Sequence, residues 1–565
     1  MVSGSSHFPY YPFPPFAFEK DGKSMEDTSL SYSRVPQASS LYLDYLYHFD
    51  RVASFFSGSP FDTSSYRAVA DSLQGVGGAR GEVSEILRKQ NQGFESGEAT
   101  FESIQRLAKP GTFAVVTGQQ VGLLSGPAFT LYKALTAVRL AQWLSQQGLP
   151  TVPVFWLATE DHDLEEVAQV AILDEEYNLV AFRDPGERPA PYSSVGSVRL
   201  SHEILPTLDR VEALLPRGES RERLLRDLLA AYVPGATWGQ AFGRLMARLF
   251  GRWGVVLLDP LDEGIHRLTA HVYRQALSES PGIHESLQQR SRDLVRTGYH
   301  AQVHVADDST LVFWARDGNR RPLHRRDGGF VLAERERVSF EQLRLGLENQ
   351  PLTFSASALL RPIVQDVLLP TVAYVAGPSE LAYHGQSQVL YRFFGRPQPV
   401  IFPRVGFTLV DHRIQRLLEK YRLAVEDVWR GEEHLRRKIA AAGFAEGWSE
   451  RLDQSERDLA ALLERLRRDI QTLDPTLLDT LKRAEEKMKY QMERLRGKIS
   501  HTALQRSEVL LRHAQSLMRF LMPNRELQER EVSGVYFLAC AGYHLLDRFL
   551  EQIRVDSSDH QIMGY

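Results

Sequence analysis

Between residues 113 and 404 the chain alternates short, nearly unbroken apolar runs with segments of helical period. The runs are FAVVT from 113, VPVFWLA from 152, VVLLD from 255, TVAYVA from 371 and VIFPR from 400. Strands that are apolar at successive positions bury both faces, which is the habit of parallel strands covered by crossover helices. One such helix is predicted over 129–144, with Leu131, Leu135 and Val138 on one side and Ala134 and Ala141 beside them. The expected fold class is therefore α/β, a doubly wound parallel sheet.

The spacing between runs is uneven, and the long gaps imply insertions in the core, which is taken as about 36–410. The first insertion, about 174–250, reads mainly helical. The second, about 290–350, alternates around DD, DGN and RDGG turns and predicts a β-meander. His300 and His304 would lie on one face of its first strand, roughly 13 Å apart and too far to share an ion. Residues 1–35, rich in Pro, Ser and aromatics, are expected to be a poorly ordered leader, followed by a helix near Ser39. From 411 to 522 the chain is charge-laced and helical, and Leu481, Ala484, Met488, Met492, Leu495 and Ile499 recur at coiled-coil spacing. Pro475 marks the turn of an antiparallel pair, Pro523 stops the return helix, and 523–565 is expected to pack back on the core as helices. The apolar seam needs a partner, and homodimerisation is the expected use of what hairpin pairing leaves over.

Composition narrows the function. Lys and Arg total 67 against 71 Asp and Glu, a net charge of −4, so there is no general basic field for nucleic acid or anionic lipid. No apolar run is long enough to span a bilayer. The N-terminal FPYYPFPPFAFEK has no Lys or Arg before Lys20, unlike a secretory signal, and the single cysteine, Cys540, suits a reducing compartment. The cytoplasm is the expected location. One cysteine also excludes a Cys-rich site, so no zinc is expected.

Three strand ends gather the groups that could carry chemistry. In VVTGQQVGLLSGPAF, the first strand ends at Thr117 and Gly118, Gln119 and Gln120 follow; Gly126 and Pro127 precede a helix carrying Thr130. Ligands of open parallel sheets bind beyond the strands' carboxyl ends, and Gln119, Gln120 and Thr130 are expected to face that crevice. The glycines match neither a dinucleotide nor a phosphate-loop fingerprint. The second strand ends in LATEDHDLEE, where Glu160, Asp161, His162 and Asp163 cluster before Glu165 and Glu166. A His among carboxylates suits general-base work or an Mg²⁺ ion, and it also suits a capped helix start. Glu165 and Glu166 are assigned to the helix, Asp161 and His162 to the crevice. The fourth strand leads into GPSELAYHGQ, which carries Gly377, Pro378, Glu380 and Tyr383; upstream, Arg361 and Gln365 stand one helical turn apart, a spacing that suits a carboxylate or phosphate clamp and equally an ordinary buried Arg ion pair.

The strings VVTGQQVGLLSGPAFTLYKALTAVRLA, VPVFWLATEDHDLEEV, LLRPIVQDVLLPTVAYVAGPSELAYHGQ and FPRVGFTLVD resemble, in order, the BshC family of bacillithiol biosynthesis. The resemblance runs from about residue 36 through the helical arm. It implies a Rossmann-like core similar to class I nucleotidyltransferases, with two connecting insertions and a coiled-coil domain that mediates dimerisation. It further implies a ligase that adds L-cysteine to the amine of glucosaminyl-malate. The chain departs from the family pattern at Ala376 and Ser379, where glycines are usual, and at His384, where a bulkier residue is common.

Amide formation from a free carboxylate is uphill, so ATP (or ADP as its product) is the expected nucleotide, by inference from chemistry and resemblance. His162 is the expected general base, with Asp161 the alternative and Glu160 beside them. Two other readings stay open: a transferase-like ligase for another acid and amine, and a non-catalytic nucleotide-binding dimeric scaffold.

Overall fold

In this computed structural model residues 27–565 are described, apart from 75–78, 185, 191, 318, 334–335, 444–447, 506–507 and 558. Most of the leader, 1–26, therefore lies outside the described residues. The five apolar runs form one parallel sheet: β1 (Phe113–Gln119), β2 (Thr151–Leu157), β3 (Val256–Leu258), β4 (Thr371–Ala376) and β5 (Val400–Pro403). Their order is β5-β4-β1-β2-β3. The chain steps outward from β1 to β3, then returns to β4 on the other side of β1. That reversal leaves a crevice between the carboxyl ends of β1 and β4, where parallel sheets bind ligands.

Alternation in β1 and β5, and in β4 past its bulge between Thr371 and Ala373, sorts residues onto two faces. Phe113, Val115, Val372, Val375, Val400 and Phe402 join one core cluster, whereas Val116, Tyr374 and Ile401 join the other. The crossover helix α1 (Phe129–Gln146) buries twelve of its residues, so it lies inside the molecule and even Lys133 is enclosed. Further along lie α2 (Glu263–Ser278), α3 (Arg361–Leu368) and α4 (Pro378–Ser387), the last starting at the crevice.

The insertions differ from expectation in detail. The first opens with a hairpin, Gln169–Leu173 with Leu179–Arg183, before its three helices. In the second, helix Ser280–Arg296 occupies the start of the expected meander, and the YHAQVHV stretch forms no strand. An antiparallel sheet begins at Ser309 and runs to Val338; Phe354–Ala356 adds a fifth strand beside Ser309–Arg316. The period of two in YHAQVHV was real, but its backbone has no neighbouring strand to pair with.

Beyond Asp411 the helical arm forms as expected: Trp448–Leu473 and Leu478–Gln505 are joined at Pro475–Leu477, with Arg467 and Glu485 ion-paired across the hairpin at 2.6 Å. Leu463 and Leu481 are buried, whereas Met488 and Leu495 remain exposed. The two ends of the chain need correction. Thr28–Leu30, placed in the leader, is a strand, and the C-terminal segment ends not in a helix but in strand His560–Gly564. The C-terminal strand lies between Thr28–Leu30 and Phe407–Val410, which gives all three backbones hydrogen-bond partners.

Behind this small sheet the buried Arg404 binds Glu529 through two hydrogen bonds, 2.5 and 3.0 Å, and Phe407 N donates to the same carboxylate. Burial opposes the charge on Glu529, but Arg404 outweighs it and holds the carboxyl below its ordinary range. Removing one partner of a buried pair strands the other, a cost of about 3–5 kcal/mol. Glu529→Gln should therefore lower the urea midpoint strongly at pH 7. Because the native carboxyl is depressed, its contribution is present above the unfolded value, about 4.3, and fades as the pH falls through the native one. The gap between wild type and variant should accordingly close in acid, and an equal midpoint at pH 7 contradicts the assignment.

Candidate functional site

The crevice widens into a cavity of about 750 Å³ at the carboxyl ends of β1, β2 and β4. Its floor is built around Lys133 of α1. The Lys133 Nζ donates to Gly118 O at 2.5 Å and to Gln119 Oε1 at 3.1 Å, and it sits 2.5 Å from Glu380 Oε2. Glu380, in the first turn of α4, also accepts from Tyr374 OH and from Gly377 N, each at 2.8 Å. Burial opposes ionisation of Glu380, but Lys133 and the Gly377 N–H prevail and keep it anionic. Burial likewise draws Lys133 below the ordinary lysine range, against the pull of Glu380. The side chain of Lys133 is 2% exposed, so this ammonium belongs to the site's frame and not to a solvated surface.

Arg361 opens α3 and points across the same cavity. It donates to Gln365 Oε1 at 3.0 Å and to the hydroxyls of Tyr374 and Tyr383 at 3.3 Å. These acceptors are neutral, and its charge is balanced only at a distance, by Glu380 and Glu160. From the inserted antiparallel sheet comes Arg320, which donates to Ser355 Oγ at 2.8 Å and Ala356 O at 2.9 Å, lies over the Phe313 ring, and reaches His162 Nδ1 at 3.3 Å. The insertion therefore forms one wall of the cavity.

The β2 end supplies the acids. Gln120 Nε2 donates to Asp161 Oδ2 and Glu166 Oε2, both at 2.8 Å. Asp161 Oδ1 accepts from the backbone N–H of His162 and Asp163 at 2.7 and 3.3 Å. Burial opposes its charge, but these bonds win and hold it below the ordinary carboxylate range. Glu160 behaves differently: burial raises it, only partly offset by His266, Arg320 and Arg361. Next to it, at the end of β3, burial pushes Asp259 up to about 6, although Thr159 Oγ1 donates to it.

The strand-end motifs thus converge, though not every expected residue reaches the cavity. Gly118, Gln119, Gln120, Glu160, Asp161, Arg361, Gly377, Pro378, Glu380 and Tyr383 line it. The others lie off its walls. Thr117 is turned to the neighbouring strand, where its hydroxyl donates to Val375 O. Gly126 turns the chain at φ +67, where a side chain would be strained, and Pro127 bridges to Ser533. Thr130 is fully buried within the core instead of facing the crevice. Gln365 is buried behind Arg361 as its hydrogen-bond support. Asp163 caps the short helix Leu164–Val167 by accepting from Glu166 N, Glu165 pairs with Arg183, and it is Glu166 that turns inward. His162 is the main correction: its side chain is 44% exposed and sits beside Arg320 outside the cavity walls, because alternate positions of a turn cannot all face one ligand.

Sequence reasoning missed Lys133, Arg320, Arg404, Arg530 and Tyr374, all of which line the cavity. For Lys133 a signal existed: it is the one cation between Phe129 and Val138 in an otherwise buried helix.

Comparison with known proteins agrees with this layout. Residues 25–405 match the family model "Bacillithiol biosynthesis BshC, N-terminal Rossmann-like domain", and 407–565 match "Bacillithiol biosynthesis BshC, C-terminal coiled-coil domain". A protein of Solibacter usitatus is 37% identical over 542 residues, covering 95% of this chain and all of its own; it bears the name "Putative cysteine ligase BshC". Proteins of the same name from Koribacter versatilis and Salinibacter ruber are 37% and 32% identical, over 92% and 93% of this chain and 96% of each relative. With both domains matched along nearly the whole chain and the strand-end motifs gathered in one cavity, this chain belongs to the BshC family of bacillithiol biosynthesis.

Proposed function

We propose that this chain is a ligase that joins the carboxyl of L-cysteine to the amino group of glucosaminyl-malate, giving bacillithiol. The observation that carries this reading is the mixed lining of the cavity, with Arg320, Arg361 and Arg530 beside Glu160, Asp161 and Glu166. Both substrates present carboxylates and an amine, and such walls offer guanidinium groups to the first and carboxylates to the second. About 750 Å³ is room for two small polar molecules.

A free carboxylate does not react with an amine unaided, so ATP is the co-substrate this reading uses to activate cysteine. Arg320 and Arg361, whose hydrogen bonds go to neutral partners, are suited to an anionic ligand of this kind. Mg²⁺ would arrive with the nucleotide; among the described residues no group of three His, Cys, Asp or Glu side chains could hold a metal by itself. No helix of the described residues is long and apolar enough to cross a membrane.

The amine must shed a proton when it attacks. Asp161, held strongly anionic by three hydrogen-bond donors, is a poor acceptor, and His162 lies outside the cavity. Glu160, whose affinity for a proton is raised by burial, is the better base. Lys133 and Glu380 hold the strand ends in place, and Gln120 fixes Asp161 and Glu166.

The arm supports a homodimer, since Leu466, Leu473, Leu477, Met488 and Leu495 are each more than 40% exposed along its hairpin.

Purified protein incubated with cysteine, glucosaminyl-malate and ATP should give a product with the mass of bacillithiol. An amide formed only with another acid or amine would shift the reading to a related ligase, and none at all would favour a scaffold. Gln120→Ala should lower turnover on the order of a hundredfold while leaving the melting temperature nearly unchanged. Glu380→Gln should lower both, because Lys133 is left without its counter-ion. Full activity in Gln120→Ala contradicts the placement of the site.

Replacing Trp448–Gln505 by a short linker should convert a dimer to a monomer in sedimentation velocity, with the core's circular dichroism retained. A truncated chain that stays dimeric rules out the arm as the contact.

A further inference from the structure

Glu160 does not stand alone. On the other side of its carboxylate lies His266 of α2, 2% exposed, with Nε2 3.4 Å from Glu160 Oε1. The other ring nitrogen, Nδ1, is 3.1 Å from the carbonyl oxygen of Pro351. A carbonyl only accepts, so Nδ1 must carry a hydrogen and donate it. That assignment leaves Nε2 of a neutral ring as a bare lone pair beside Glu160. Both Nε2 and Oε1 are buried, and neither has a hydrogen-bond partner, although they lie 3.4 Å apart.

Two acceptors facing each other in a buried place repel, and each would forfeit its hydrogen bond. One proton between them removes both penalties, whether it is drawn on the carboxyl or on the ring. At 3.4 Å the contact is roughly 0.5–0.7 Å longer than a charge-assisted bond, so the two groups must approach by that much to share a proton. The ring is held in its plane by Tyr273, stacked at 6.4 Å between centroids.

We propose that His266 is a positioning residue that shares one proton with Glu160 and so readies this carboxylate to take the proton shed by the attacking amine. The proposal rests on the ligase reading above for its substrate, but not for the state of the pair. In the step itself the amine's lone pair forms the C–N bond, and the bond from the acyl carbon to its phosphate-bearing oxygen breaks with its electron pair. The surplus proton on nitrogen passes to Glu160, whose shared proton moves onto His266 Nε2. The activating co-reactant is a nucleoside triphosphate. The charged and titratable groups facing Glu160 are His266 and Tyr273 from α2, Arg320 from the inserted sheet, Arg361 from α3 and Asp259 from the end of β3.

Three measurements test it. First, nitrogen–proton spectra of histidine-labelled, substrate-free protein should show His266 with Nδ1 always protonated; its signal is identified by loss in His266→Gln or by its shift in Glu160→Gln. A ring protonated on Nε2 alone overturns the proposal in the wild-type protein, whatever the variants do. Second, infrared difference spectra of substrate-free protein between about pH 4 and 9 should contain a carboxylic-acid band that vanishes in Glu160→Gln. A positive ring charge lowers the proton affinity of Glu160, so in His266→Gln that band should persist to higher pH. Third, the acid limb of kcat/KM should move to higher pH in His266→Gln, with turnover at pH 7 reduced about tenfold or more, and Glu160→Gln should lose on the order of a hundredfold. Coincident bands and limbs in wild type and His266→Gln overturn the shared proton. The first two readings need no substrate, so absence of amide formation would count against the ligase reading while the pair is still decided.

Discussion

The ion pair between Lys133 and Glu380 is the constraint on which the site depends. It joins the helix that leaves β1 to the helix that leaves β4, across the point where the sheet reverses direction. A lone buried ammonium or carboxylate would be costly, and here each charge is met by the other and by backbone groups of Gly118 and Gly377. The consequence is a rigid cavity floor. Tyr374, Tyr383 and Arg361 are then oriented by hydrogen bonds that lead outward from Glu380, so one buried pair sets the direction of several groups that line the cavity.

Around this floor the rest of the chain supplies walls. The antiparallel insertion brings Arg320 to the β2 end, and α2 brings His266 behind Glu160. The C-terminal segment returns to place Glu529 on Arg404, itself a cavity residue, and to close a small sheet with the strand near residue 28. Residues far apart in sequence are thus tied to one crevice. Acid chemistry is divided within it: Asp161 is kept anionic by donors, whereas Glu160 is kept proton-hungry by burial. Two neighbouring carboxylates acquire opposite shifts in proton affinity from their surroundings alone.

Much of this was legible in the chain. All five parallel strands arise at the apolar runs, since burial on both faces leaves a pattern that few other arrangements produce. The three strand-end motifs were recognisable because a parallel sheet directs its carboxyl ends to one side. What could not be read is partnership across long separations. Lys133 stands out locally as the one cation between Phe129 and Val138, but the residue it meets lies almost 250 positions away, and no local pattern names that partner. His162, conspicuous among acids, faces outward because turn geometry decides which of several adjacent side chains points in. His266 was silent, a single histidine on a buried helical face. The end strands were missed for a related reason, as strands of three and five residues pair by virtue of neighbours that only the fold supplies.

On the reading proposed above, substrate binds and reacts in the cavity where the strand ends meet. The most direct measurement is a crystal structure of the full chain with glucosaminyl-malate bound. The account predicts electron density between Gln119, Glu160 and Arg361, with the sugar amine within about 3 Å of the Glu160 carboxylate. A well-occupied substrate elsewhere on the molecule, with this cavity empty, would contradict it.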